Sequence, residues 1–241
     1  MSAAMFPVVI LAGGLATRLR PVTEAVPKAL IDINGSPFVA HQLHLLRAQG
    51  IDRVVLCVGY LGEQIVKVVG DASQFALHAA YSFDGPTLLG TAGAIKKALP
   101  LLDESFFVLY GDSYLQCDYR AIQTEFERAG KAALMTVYRN EGQWDTSNVE
   151  FTDGCIRAYD KQQRTQHMKY IDYGLGVFRR TAFAGLAENR SYDLEPLYRD
   201  MLQQNQLAGL EVSQRFYEIG SPAGVDELRR YLAKSAPGSD Q

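Results

Sequence analysis

A run of β-branched and apolar residues, Val8-Val9-Ile10-Leu11-Ala12, stops abruptly at the pair Gly13-Gly14. Leu15-Ala16-Thr17-Arg18-Leu19-Arg20-Pro21 follows, and then Pro27-Lys28. An apolar run of this length ending in paired glycines reads as a buried strand feeding a tight loop, where glycine lets backbone N–H groups approach a ligand. Convergent N–H groups favour anions. The loop also delivers Arg18, Arg20 and Lys28, so a phosphate chain held there would meet backbone donors below and fixed positive charge around it. Neither G-x-x-x-x-G-K-[ST] nor G-x-G-x-x-G is present, which argues against a P-loop and a dinucleotide fingerprint.

The charge balance makes that basic loop a local property. A formal charge of −3 over 241 residues gives no global attraction to nucleic acid or to an anionic membrane. With 47% hydrophobic and 21% charged residues the chain can bury a full core as a single domain spanning 1–241, with its core over about 6–232 and a frayed tail over 235–241. No apolar run reaches the length of a membrane span, and Met1 to Phe6 lacks the pattern of a secretory signal, so the expectation is a cytoplasmic protein. Cys57, Cys117 and Cys155 are widely spaced without C-x-x-C, and each is expected as a buried small hydrophobe. His41 and His44 share a helical i,i+3 spacing with no third ligand nearby, which points to packing or surface roles.

Strand and helix patterns alternate after the opening loop. Ser36-Pro37 reads as an N-cap and first helical position, with Phe38, Leu43, Leu45 and Leu46 apolar and Gly50 as the stop. Arg53 to Val58 reads as a strand, Gly62 to Val69 as a helix closed by Gly70, and Ala76 to Phe83 as a strand. This order predicts an α/β fold with a largely parallel sheet, helices on both faces and a ligand crevice at the carboxyl ends of the strands.

Two further stretches fall at such ends. Gly90-Thr91-Ala92-Gly93 opens a helix running to about Leu99, and its small residues leave room for a flat ring against the backbone. Phe106 to Tyr110 is an apolar strand ending in Gly111-Asp112-Ser113. A carboxylate directly beyond a buried strand is well placed for a magnesium ion bridging phosphate oxygens. Farther on, Tyr119 to Ala129 reads as a helix stopped by Gly130, and Ala132 to Tyr138 as a strand. Ser147 to Phe151 and Cys155 to Tyr159 read as a hairpin around Asp153-Gly154, Asp193 to Gln204 as helical, and Pro222 to Leu232 as a helix.

The pattern Leu-Ala-Gly-Gly-x-x-Thr-Arg-Leu at 11–19, with Pro27-Lys28 after it, resembles the signature of the sugar-1-phosphate nucleotidylyltransferases, also called NDP-sugar pyrophosphorylases. The likeness runs from Val8 to about Tyr231, and Pro86 to Gly93 looks most like single-domain members acting on heptose or mannose 1-phosphate with GTP. It implies a Rossmann-like three-layer sandwich with a mostly parallel central sheet and a small β-subregion on the sugar side. Leu11, Ala12, Gly13, Gly14, Thr17, Gly90, Thr91, Ala92 and Gly111 would then bind the nucleotide, and Arg18, Lys28 and Asp112 would be catalytic. Asn148, Asp160, Lys161, Tyr173 and Gly174 would serve the sugar phosphate. Glu195 has two readings, a contact with sugar hydroxyls or a helix cap.

Phe216-Tyr217-Glu218-Ile219-Gly220-Ser221-Pro222 resembles a stretch whose carboxylate is the second metal ligand, normally an aspartate. Here it is Glu218, and the extra methylene leaves open whether it binds Mg2+ directly or through water. Ala16 also departs from the pattern, standing where the family has glycine. The implied substrates are a nucleoside triphosphate and a sugar 1-phosphate, with a homo-oligomer left open. Uridylyl, cytidylyl and thymidylyl transfer share the scaffold, and a catalytically silent sugar-nucleotide-binding subunit is the reading from another class.

Overall fold

The computed structural model describes residues 4–235. It opens with β1 (Val8–Ala12), whose side chains alternate between two cores: Val8 and Ile10 pack on one side, Val9 on the other. That alternation with both faces buried is what a strand in the middle of a three-layer sandwich requires. A short ribbon of β2 (Asp32–Ile33) and β3 (Ser36–Pro37) then leads into α1 (Phe38–Ala48). Ser36 therefore does not cap the helix: it pairs with Ile33, and Pro37 takes the extended cap position, so the helix starts one residue later than its sequence suggests. The other expected stop holds, since Gly50 has φ +82 just past the helix end.

The β/α alternation continues through β4 (Arg53–Val58), α2 (Gly62–Val69), β5 (His78–Phe83), α3 (Gly90–Ala98) and β6 (Ser105–Tyr110). β5 starts two residues later than expected because Ala76 adopts a left-handed conformation, φ 54, ψ 38, and closes a short turn first. The strands stand in the order β6-β1-β4-β5 and pair in parallel throughout, so all four carboxyl ends reach one edge. α1 and α2 cover one face and α3 the other.

Beyond β7 (Ser113–Leu115) and α4 (Tyr119–Ala129) the pairing changes. β8 (Ala133–Arg139), β9 (Val149–Thr152), β10 (Cys155–Tyr159) and β11 (Tyr170–Arg179) extend the sheet past β6 mainly by antiparallel ladders. The β9–β10 hairpin turns on Asp153 at φ 53 and Gly154 at φ 72, the two positive values that a two-residue turn needs to match strand twist. α5 (Leu194–Gln203) packs with α3, and β12 (Leu207–Val212) pairs with β8. β13 (Phe216–Glu218) then crosses back to form a two-stranded ribbon with β7, and α6 (Pro222–Ser235) ends the described chain. The expected tail lies, past Ser235, outside the described residues. Among those residues no helix is long and apolar enough to cross a membrane.

A third, smaller core holds this last part in place: Leu19, Ile31, Ile33, Phe38, Tyr114, Ile219, Val225 and Leu228. It fastens the basic loop after β1, the β7–β13 ribbon and α6 to one another. Cys57 and Cys117 are buried as expected, but Cys155 is exposed: it pairs with Thr152 beside the hairpin turn, at the start of β10, which ends the strand order of the sheet.

Candidate active site

The loops at the carboxyl edge of the parallel block enclose a crevice of about 240 Å3. Leu11, Ala12, Gly13, Gly14 and Ala16 line it from β1, Cys57 from β4, Asp84 from just past β5, and Tyr110, Gly111 and Asp112 from β6. Gly90, Thr91 and Ala94 of α3 close one side, with Leu88 and Asp193, and Lys28 closes another. This is the position where open parallel sheets bind ligands. Gly13 is needed for close approach, since a Cβ there would stand 3.2 Å from the Gly59 nitrogen.

Ala16 sits at φ 48, ψ 43, so the position where the resemblance expects glycine is indeed left-handed. Its methyl costs about 1–2 kcal/mol in that conformation. The carbonyl of Ala16 offsets part of this by accepting from Thr23 Oγ1 at 2.8 Å and from the Leu19 N–H at 3.1 Å.

Lys28 Nζ meets Asp112 Oδ2 at 2.8 Å, a charge-assisted contact on the crevice wall. Glu218 arrives from β13: it pairs with Ser113 in the ribbon, and the Ile219 N–H donates to the Asp112 carbonyl at 2.9 Å. Burial first, then the charges of Asp112 and Asp145, push the Glu218 carboxyl up to about 7, against the pull of Arg18 and Lys28. A buried carboxylate that also feels the charge of a second one is a donor set that a divalent cation would relieve. Among the described residues no group of three or more His, Cys, Asp or Glu could hold a metal alone. Two carboxylates completed by substrate phosphates and water are the usual way to bind magnesium, so Asp112 and Glu218 fit the ion.

The raised Glu218 value has a thermodynamic sign. The folded protein binds this proton more tightly than the unfolded chain, so stability falls as pH rises from about 4.5 to about 7 and is level above. The span corresponds to on the order of 3 kcal/mol. Glu218→Gln, neutral throughout, is expected to melt above the parent at pH 8 in metal-free buffer, with the gap closing towards pH 5. Parallel melting curves across that range would refute it.

Arg18 and Thr17 lie elsewhere than expected. Arg18 is exposed and lines a neighbouring cavity of about 380 Å3 with Glu218, Gly220, Trp144, Asp145 and Arg215. Arg18 Nη2 passes 3.0 Å from where a side chain on Gly220 would begin, so the glycine leaves it room. Thr17 starts an exposed helical turn and does not face the crevice. Nor does Ala92: its side chain is fully buried and its N–H donates to the Tyr192 carbonyl at 2.8 Å, because α3 is capped by the segment before α5. Thr91 lines the crevice while its Oγ1 accepts the Leu194 N–H at 2.7 Å.

None of the expected sugar-side residues lines the crevice itself. Lys161 Nζ stands at its rim, 5.6 Å over the ring of Tyr110. Glu195 Oε1 accepts the Lys161 N–H at 3.2 Å and so holds that loop from the first turn of α5. Asp160 is already engaged: its Oδ1 accepts from the N–H groups of Gln163 and Gln162 at 2.7 Å, and its Oδ2 pairs with Arg199 at 3.1 Å. Those bonds keep its carboxyl below the usual range. Asn148 is buried and spends its Oδ1 on the Asp172 N–H at 3.0 Å. The Tyr173 ring is sealed on the far face of the sheet, edge-on to Phe216 at 6.2 Å, so Tyr173 supports the site from beneath and presents no group to it. Gly174 follows at φ +94, a turn of backbone that only glycine enters without strain.

Asp84 and Asp193 were not singled out by sequence. Asp84 is buried, accepts the Leu89 N–H at 3.1 Å and has its carboxyl raised, chiefly by burial. It stands just past a parallel strand, as Asp112 does, and the rule that found one finds the other.

Comparisons with known proteins give the family and the fold. Residues 7–214 match the family model described as nucleotidyl transferase. The chain is 29% identical over 227 residues to an N-acetylmuramate alpha-1-phosphate uridylyltransferase from Neisseria meningitidis, covering 91% of this chain and 95% of that protein. It is 27% identical over 215 residues to a D-glycero-alpha-D-manno-heptose 1-phosphate guanylyltransferase from Campylobacter jejuni, covering 89% and 94%. Other relatives are longer: the chain spans 52% of a UTP--glucose-1-phosphate uridylyltransferase from Synechocystis sp., at 30% identity over 201 residues and 77% of this chain. The crystal structure of HddC from Yersinia pseudotuberculosis shares the fold, with a TM-score of 0.80 at 23% identity over 95% of this chain and all of that one. The chain belongs to the nucleotidyl transferase family, among the sugar-1-phosphate nucleotidylyltransferases.

Proposed function

We propose that the protein transfers a guanylyl group from GTP to a heptose or mannose 1-phosphate, releasing pyrophosphate. The observation that carries the reaction class is the meeting of the Gly13-Gly14 backbone, Lys28 and Asp112 in one crevice, with Glu218 brought alongside by the ribbon. Asp84 supports guanine. A buried carboxylate only accepts, and guanine offers adjacent N1–H and N2–H donors, whereas uracil and thymine offer one N–H between two carbonyl oxygens that a carboxylate repels.

A sugar 1-phosphate oxygen would attack the α-phosphorus as the bond to the β-phosphate oxygen breaks. The attacking group is already ionised at neutral pH, so no base is needed, and positioning with charge neutralisation must lower the barrier. Lys28 would steady the α-phosphate, Arg18 would meet the leaving pyrophosphate from the adjoining cavity, and Lys161 would hold the incoming sugar phosphate. Asp112 and Glu218 would hold magnesium, which when bound supplies neutralising charge to the phosphate oxygens.

The uridylyl reading remains the second, favoured by the relative from Neisseria meningitidis, which matches along nearly its whole length. Pyrophosphate release measured over a matrix of nucleoside triphosphates and sugar 1-phosphates with magnesium tests both. Fastest turnover is expected with GTP and heptose or mannose 1-phosphate. A tenfold preference for UTP would overturn the guanylyl assignment, and saturable nucleotide binding with no turnover in any pairing would make the protein a silent binder.

A further inference from the structure

Behind Lys161 lies a carboxylate that the reaction as described leaves unused. Asp172, in β11, has a side chain only 4% exposed, while that of Lys161 is 42% exposed. Strand alternation turns Asp172 to the face opposite Tyr173, which is the face of α5 and the sugar-side hairpin. Its Oδ1 accepts the Gly174 N–H at 3.1 Å. Its Oδ2 accepts from Tyr159 Oη at 3.3 Å and faces Lys161 Nζ at 4.0 Å.

Three constraints thus converge on one flexible side chain. The Lys161 backbone is pinned by Glu195, its ammonium lies 5.6 Å and 5.9 Å over the rings of Tyr110 and Tyr159, and Asp172 supplies the opposite charge. Ring faces attract a cation, but without fixing its direction. A surface Lys–Asp pair normally contributes little, because both chains wander in water. Here one partner cannot move: Asp172 is buried and oriented by two donors, and a buried carboxylate is costly without a cation to answer it.

We propose that Asp172 is a positioning residue which sets the Lys161 ammonium at the crevice rim, beside Tyr110, before the sugar 1-phosphate arrives. This rests on the reading of Lys161 as the group that receives that phosphate. Preorganisation spares the side chain from being ordered during binding, so its loss falls on the acceptor substrate and spares the nucleotide.

The test is a double-mutant cycle of Asp172→Asn and Lys161→Ala, read by steady-state kinetics. Asn keeps an oxygen for the Gly174 N–H and removes the charge. Asp172→Asn is expected to raise KM for the sugar 1-phosphate about tenfold and to leave KM for GTP within about twofold; in the Lys161→Ala background the same change is expected to add less than about twofold. An equal effect in both backgrounds would assign Asp172 to the Gly174 turn, and an unchanged sugar-phosphate KM would also overturn the proposal. If Asp172→Asn does not fold, Tyr159→Phe, which removes the hydroxyl that orients Oδ2, enters the cycle under the same criteria. No turnover by the parent with any substrate pair would overturn both this proposal and the function it rests on, whereas a working parent with no coupling sinks the proposal alone.

Discussion

Asp112→Asn is expected to lower pyrophosphate release by about 10²–10³-fold, the loss that follows removal of one preorganised electrostatic contact. The effect should fall on turnover and not on nucleotide affinity. In the parent, Lys28 Nζ is shared with Asp112 Oδ2 at 2.8 Å. Asparagine frees that ammonium from its carboxylate, so, on the proposed function, GTP should bind as tightly as before or more tightly while chemistry collapses. Calorimetric titration with GTP beside a pyrophosphate assay separates the two. Near-parental turnover would remove Asp112 from the machinery, and loss of GTP binding would mean that its role is to shape the crevice.

The second large effect is structural. Gly111→Ala should destabilise the fold by about 3 kcal/mol, the upper end of overpacking costs, because a Cβ there would overlap the Leu11 carbonyl oxygen and stand 3.1 Å from the Ala12 Cα. Both atoms belong to the central strand, whose Leu11 carbonyl already accepts the Gly111 N–H at 3.0 Å, so neither side can yield. For a chain of this length the melting temperature should drop by about 6–12 °C. Gly14→Ala is the control: nothing lies within 4 Å of the added methyl, and a loss under about 1 kcal/mol is expected. Equal losses at the two glycines would show that backbone proximity is not what demands Gly111.

Much of this arrangement can be read from the chain because it is local. β1, β4 and β6 are apolar runs with glycine at their carboxyl ends, and a parallel block follows from strands separated by helices. What escapes the sequence is decided by partners far away. Ser36-Pro37 has every mark of a helix start, yet pairing with Asp32 and Ile33 claims it. Ala92 opens a helix as foreseen, but the carbonyl of Tyr192, a hundred residues on, takes its N–H and closes it off from the crevice. Tyr173 and Asp172 are neighbours on one strand, and only the burial of the finished sheet tells which faces α5 and which the opposite core. Arg18 follows its loop into an adjoining cavity because the small core around Leu19 and Ile219 fixes where that loop turns.

The β7–β13 ribbon joins residues made early in synthesis to residues made near the end. Asp112 is in place once the parallel block has formed, whereas Glu218 reaches it only through three paired positions, Phe216 with Leu115, Tyr217 with Tyr114 and Glu218 with Ser113. A slip of one residue would send Glu218 to the opposite face and leave Tyr217 in its place. Synthesis thus lays down the Gly13-Gly14 loop, Lys28 and Asp112 roughly a hundred codons before Glu218, which joins them only if three short rungs zip in the right frame.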